Sequence, residues 1–205
     1  MNSAILMQSS GRADLRPAAY QRLFRVLELS PSAHDDRVYF NLGMLGMDDG
    51  DSANAETWFK KAIEAKPNFR SALFNLALLL HEQKRPLDAL PFLQSLHTHF
   101  PDHIKGLILM GDIYTNQVKD LKSAENCYKK IIEVDPTHVQ GHHNLCVVLV
   151  EQGQLQQARE CLIKVQEMAP KEDYVKRHLQ IVENRIKNAQ DNANSNLNLN
   201  SISND

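Results

Sequence analysis

The chain has 205 residues, 23 Lys and Arg against 25 Asp and Glu for a formal charge of −2, and 42% hydrophobic residues. That apolar content excludes wholesale disorder and suffices for one or two globular units. The balanced charge removes the main argument for nucleic acid, since a phosphate-binding surface needs a marked basic excess.

In chain order, residues 1–13 carry no helical pattern. The Ala4–Met7 patch is too short for a signal-peptide core, and no basic residue precedes it. Nowhere does the chain approach the roughly 18 uninterrupted apolar residues of a membrane span. Residues 14–31 read as a helix ending at Pro31, with Ala19, Leu23 and Val26 on its packing face. No partner helix precedes it, so the chain is expected to start inside a repeat, as a fragment or a truncated reading frame would.

Prolines then recur at Pro31, Pro67, Pro101, Pro136 and Pro170, at intervals of 36, 34, 35 and 34 residues, each closing an amphipathic stretch. A period near 34 is the tetratricopeptide signature, two antiparallel helices per unit with proline after the second. The predicted units are 36–69, 70–103, 104–138 and 139–172. The first helices share a column of Leu42, Leu76, Met110 and Leu145, followed by small Gly43, Ala77, Gly111 and Cys146. Three residues on stand Gly46, Leu80, Tyr114 and Leu149, where only Gly46 departs from a large side chain. The second helices place Ala55, Ala89, Ala124 and Ala158 four residues before Phe59, Leu93, Tyr128 and Leu162. Small residues let helix axes approach, and the large ones fill the space beside them.

After the last unit, Val175, Leu179, Val182 and Ile186 follow helical spacing behind Asp173, a suitable N-cap, which predicts a solvating cap helix over 173–190. Residues 191–205 hold six Asn and are expected to be a disordered tail. The predicted fold is an all-α tetratricopeptide superhelical solenoid of about four and a half repeats plus that cap.

Catalytic chemistry has little support in the pattern. His97, His99 and His103 cluster around Pro101, and His138 and His142 lie four apart, but no HExxH or paired CxxC accompanies them. They read as exposed turn histidines, and neither a metal nor a cofactor is predicted. Cys127, Cys146 and Cys161 cannot all bridge internally. Cys127 and Cys161 occupy one column of adjacent repeats, too far apart for a disulfide, and both are read as packing or surface thiols. No Ser/His/Asp constellation or glycine-rich phosphate loop is present, so no catalytic residue is assigned.

The first helices of such a solenoid line its concave face. The residue before the Leu/Met column is Asn41, Asn75, Leu109 and Asn144. An Asn amide offers one acceptor and two donors, which suits gripping a peptide backbone. The row resembles the asparagine ladder inside the tetratricopeptide superhelix of the O-linked N-acetylglucosamine transferase, with Leu109 as a gap. The alternative is that these Asn tie helix to helix inside the solenoid. Neighbouring columns hold Phe40, Phe74, Ile108 and His143, and Met44, Leu78, Asp112 and Val147. They lack the cationic clamp with which co-chaperone domains hold a terminal carboxylate. An apolar groove suits an extended polypeptide, unless these side chains are buried between adjacent repeats. The candidate peptide-binding residues are Asn41, Asn75, Asn144, Phe40, Phe74, Met44 and Leu78.

Several stretches carry more identity than the repeat requires: RVYFNLGMLGMDD, FRSALFNLALLLHEQKRPLDALPFL, HIKGLILMGDIYTNQVKDLKSAENCYKKI, VQGHHNLCVVLVEQGQLQQARECL and EDYVKRHLQIV. Over roughly residues 14–186 the chain resembles the C-terminal end of the transmembrane-and-tetratricopeptide family of protein O-mannosyltransferases. The resemblance implies a luminal array of a multi-pass endoplasmic reticulum protein. That protein's membrane half would pass mannose from dolichyl-phosphate-mannose to Ser/Thr, with cadherin domains as substrates. The membrane half is missing here, so the family's catalytic acidic residues cannot be placed on this chain. The expected partner is a polypeptide substrate or partner protein. No nucleic acid is expected, and no membrane contact by this chain itself, although a full-length family architecture would be membrane-anchored. The competing reading is a free-standing soluble adaptor, cytoplasmic if expressed as this chain alone.

Overall fold

The structure, a computed structural model, describes residues 15–29 and 35–202, with side chains through residue 192. The predicted N-terminal segment 1–13 and Pro31 lie outside the described residues. Ten α-helices and no strand are found among those described. They are α1 (Arg16–Leu29), α2 (Asp35–Asp48), α3 (Ser52–Ala65), α4 (Arg70–Glu82), α5 (Pro86–His99), α6 (Ile104–Ile113), α7 (Leu121–Val134), α8 (Val139–Glu151), α9 (Leu155–Met168) and α10 (Asp173–Ile202). They follow the predicted alternation of first and second helices, with α1 as a second helix. The chain divides into two compact units, residues 1–109 and 110–205.

Side chains next to the helix ends explain where several helices begin. Asp51 accepts the Asn54 N–H at 3.1 Å and starts α3, and Asp120 accepts the Ser123 N–H at 3.0 Å and starts α7. Each satisfies an N–H that has no partner within the helix. Each turn from a first to a second helix contains one residue of positive φ: Gly50 (74°), Lys84 (63°), Lys119 (62°) and Gly153 (76°). The interval from Lys84 to Lys119 is one residue longer than the other two, and α6 absorbs the extra residue by winding into a π-turn at Tyr114–Val118. Left-handed backbone costs an L-residue about 1–2 kcal/mol, partly offset by the greater folding entropy loss of glycine, about 0.5–1 kcal/mol. Lys84→Gly and Lys119→Gly should therefore each stabilise the protein by about 0.5–1 kcal/mol, seen as a higher urea midpoint. An unchanged midpoint would show that the lysine side chain makes up the difference.

In the first unit, Leu42, Leu76, Ala55, Ala89, Phe59 and Leu93 are fully buried. A Cβ added at Gly43 would lie 2.6 Å from the Phe59 ring, which is why that column is small. Gly46, the exception at a large position, has the same kind of cause: a Cβ there would stand 2.9 Å from the Ala55 backbone nitrogen. Along α1, Ala19 and Leu23 are buried against Val38, Leu42 and Leu45, with Val26 and Trp58 packed on this cluster.

The second unit repeats the scheme through Ala124, Ala158, Tyr128 and Leu162. A Cβ at Gly111 would meet the Tyr128 ring at 2.7 Å. Leu145 is only half-buried, unlike its equivalents. Val175 and Val182 of α10 are buried in a cluster with Val165 and Leu162, and Leu179 and Ile186 pack against it. That is the cap face the spacing predicts. The helix runs on to Ile202, through most of the segment expected to be a disordered tail. Elongating a helix already anchored by packing adds one hydrogen bond per residue fixed and needs no new nucleus, which composition does not register.

A second correction concerns cysteine. Cys146 of α8 and Cys161 of α9 form a disulfide with Cα atoms 5.5 Å apart. Cys161 is therefore not a thiol, and its partner lies within its own repeat. Cys127 is free and buried, and burial pushes its thiol up to about 12.

Candidate first-helix binding face

The candidate residues lie on α2 and α4 in the first unit and on α8 in the second. Phe40, Phe74 and His143 begin equivalent stretches of that face, and each ring packs onto the start of the following helix pair. Phe40 lies 5.2 Å from Phe69, the residue before α4, and 5.8 Å from Phe59. Phe74 lies 4.9 Å from His103, just ahead of α6. His143 meets Tyr174 edge-on at 4.9 Å and stacks on His178 at 5.0 Å, with Nε2 and Nδ1 of the two rings 2.8 Å apart. Burial and the neighbouring His178 hold His143 below the usual imidazole range. This column is an aromatic seam between successive repeats that leaves each ring half-exposed on the face. Met44 and Leu78 stand one turn further along, both half-buried.

The asparagines divide into two kinds. Asn41 donates from Nδ2 to the Arg37 carbonyl at 2.7 Å, and Asn75 from Nδ2 to the Ser71 carbonyl at 2.8 Å. Each amide is thereby fixed on its own helix, with Oδ1 and a second N–H left over. Asn75 is half-buried, but Asn41 is only 8% exposed. Asn144 instead donates to Asp112 Oδ1 at 3.4 Å, reaching from α8 to the preceding first helix. The same oxygen accepts the Tyr128 hydroxyl at 2.6 Å. Burial, then Asp112, pushes that phenol above its ordinary range, so it stays a donor.

Four of the five histidines singled out by clustering meet backbone groups, His99 among them with Nδ1 2.9 Å from the Ser95 carbonyl oxygen, whereas the buried Nδ1 of His97 has no hydrogen-bond partner. Nδ1 of His103 accepts the Gly106 N–H at 3.0 Å, and Nδ1 of His138 accepts the Gly141 N–H at 3.0 Å, so both act at the start of a first helix. Burial, then the Arg70 charge, holds His103 below the usual imidazole range, which keeps Nδ1 available as an acceptor. His142 Nε2 lies 2.9 Å from the Pro136 carbonyl oxygen. Among the described residues, no group of three His, Cys, Asp or Glu is placed to hold a metal ion. No helix described is long and apolar enough to cross a membrane.

One polar site escaped the sequence reading altogether. Glu125 is buried, accepts from Gln152 at 3.0 Å, and pairs with Lys129 at 2.6 Å. The Gln152 hydrogen bond, then Lys129, lowers its carboxyl to about 2. It fastens α7 to the turn after α8. The first unit carries an equivalent tie, in which Glu56 pairs with Lys60 at 2.7 Å and with Arg85, in the turn after α4, at 2.6 Å; both acids lie outside the packing columns from which the repeat was read.

Residues 36–69, 71–103 and 116–180 each match the tetratricopeptide repeat family. The chain is a tetratricopeptide-repeat chain. Within that family it is 52% identical over 185 residues to Protein O-mannosyl-transferase TMTC3 of Homo sapiens, covering 90% of this chain and 20% of that protein. It is 54% identical over 176 residues to Protein O-mannosyl-transferase Tmtc3 of Drosophila melanogaster, covering 86% of this chain and 19% of that one. The chain thus spans about a fifth of the length of these curated relatives, and the resemblance read from its sequence is borne out. Among solved tetratricopeptide structures, YrrB, described as having an unusual peptide-binding site, is 22% identical with a TM-score of 0.73, over 87% of this chain and 89% of that one. A MamA structure is 18% identical with a TM-score of 0.68, over 72% and 80%. These two likenesses show the fold, an all-α tetratricopeptide solenoid.

Proposed function

We propose that this chain is a protein-interaction module that holds an extended polypeptide on the faces of its first helices, as the luminal tetratricopeptide array of an endoplasmic reticulum protein O-mannosyltransferase. In that reading the transfer of mannose from its dolichyl-phosphate carrier belongs to parts of the longer protein outside this chain. The chain presents acceptor polypeptides, cadherin-type domains among them. The observation that carries the binding role is the pair Asn41 and Asn75. Each is held by a bond to its own helix with an acceptor and a second donor uncommitted, the half-buried Asn75 being the more open of the two, beside Phe40, Phe74, Met44 and Leu78. Asn144, with an amide donor engaged by Asp112, is the counterpart in the second unit.

The luminal location is supported by the Cys146–Cys161 disulfide, which persists in oxidising compartments and is rare where glutathione keeps thiols reduced. The same observation weighs against a free-standing cytoplasmic adaptor. The binding role is tested by Asn41→Ala combined with Asn75→Ala, using fluorescence anisotropy of a short labelled Ser/Thr-bearing peptide. Loss of two backbone hydrogen bonds should weaken binding about tenfold or more. Unchanged affinity with an intact helical circular dichroism spectrum would remove these residues from the binding site.

A further inference from the structure

The cap helix does more than solvate the end of the array. Between α8 and α10 lies an open pocket of about 170 Å³, walled by Val147, Val150 and Val182, with Ile181 at its lip and His178 and Arg185 at its edge. A cavity of about 150 Å³ lined by aliphatic side chains is known to accept benzene, so this volume takes one large apolar side chain. Ile181 is 48% exposed, whereas Val175 and Val182 of the same helix are buried and Tyr174, Leu179 and Ile186 are partly covered.

The charge around the pocket is one-sided. Residues 173–190 hold four Lys and Arg against two Asp and Glu. Both acids are already paired, Asp173 with Lys176 and Glu183 with Arg159. Among the described residues, Arg185 has no carboxylate partner. The stacked His143–His178 pair fixes the side wall of the pocket.

We infer that this pocket is a specificity site for an extended segment bearing a large apolar residue followed, two positions later, by Asp or Glu. The spacing follows from geometry. Ile181 and Arg185 are four residues apart on one helix, a rise of about 6 Å. Side chains two apart in an extended peptide point the same way and are separated by about 6.6 Å. An apolar side chain entering beside Ile181 therefore places the next side chain on that face within reach of the Arg185 guanidinium, whose fork accommodates a carboxylate. Val147 lies one turn beyond Asn144 on the same face of α8, so the inference rests on the polypeptide-binding reading and names a sequence preference within it.

The test uses the full chain and two labelled alanine-rich peptides, one containing Leu-Ala-Asp and the other Leu-Ala-Lys. At low salt the Leu-Ala-Asp peptide should bind about fivefold more tightly, and the preference should shrink as salt is added. Arg185→Glu, an exposed change that leaves the core intact, should reverse the preference, and Ile181→Ser should weaken both peptides. Equal affinities, or a preference untouched by Arg185→Glu, overturn the inference. If both peptides bind equally and Asn41→Ala with Asn75→Ala still weakens them, the specificity site alone fails. If neither binds, the polypeptide-binding reading fails with it.

Discussion

Reduction of the Cys146–Cys161 disulfide, or Cys161→Ser, should destabilise the second unit by about 3 kcal/mol. The sequence separation of 15 residues is the loop that the bridge removes from the unfolded ensemble, and closing a loop of that length stabilises by about 3 kcal/mol in the chain-entropy treatment. The bridge joins α8 to α9 inside one repeat, where Cys146 is fully buried beside Ala158 and Leu162. The loss should be confined to residues 110–205, so hydrogen exchange of α8, α9 and α10 should accelerate in reductant while α2 to α5 keep their protection. Alkylation counts the thiols independently. Denatured without reductant, the chain should take up one label, at Cys127, and three after reduction. Three labels without reductant would show that the bridge does not form.

Pro91→Ala should stabilise the first unit by about 2 kcal/mol. Pro91 sits inside α5, well past the first turn where proline is tolerated. It cannot donate to the Leu87 carbonyl, and proline in a helix interior is about 3 kcal/mol less favourable than alanine. Part of that is recovered because proline also restricts the unfolded chain, by about 0.4–1 kcal/mol. Pro91 is exposed, as are Thr57, Asn126 and Glu160 at the equivalent places of the other second helices, so alanine opens no cavity there. The measurement is a urea unfolding curve at constant slope, in which the midpoint should rise. A fall would mean that proline at this position is needed for packing the buried Leu93 and Leu96.

The candidate face was legible as a set of positions but not as a state of burial. Repeat arithmetic puts Asn41, Asn75 and Asn144 in one row. It is silent on Asn41 being almost covered and on Asn144 being tied to Asp112, a partner 32 residues away. Those outcomes depend on side-chain rotamers and on neighbours that differ from one repeat to the next.

What the amino-acid sequence determined by itself is whatever recurs. Each repeat places its residues in the same surroundings, so the alanines at 55, 89, 124 and 158 and the large residues four later report a packing rule sampled four times. The turns recur as well, at Gly50, Lys84, Lys119 and Gly153, although two lysines hide the positive φ that the glycines advertise. The tertiary structure decided what occurs once: the Cys146–Cys161 bridge, the His143–His178 stack and the pocket beside Ile181. Each joins residues from separate elements, 15 to 38 apart along the chain. Their meeting is set by how closely two particular helices approach, a quantity no periodic pattern contains.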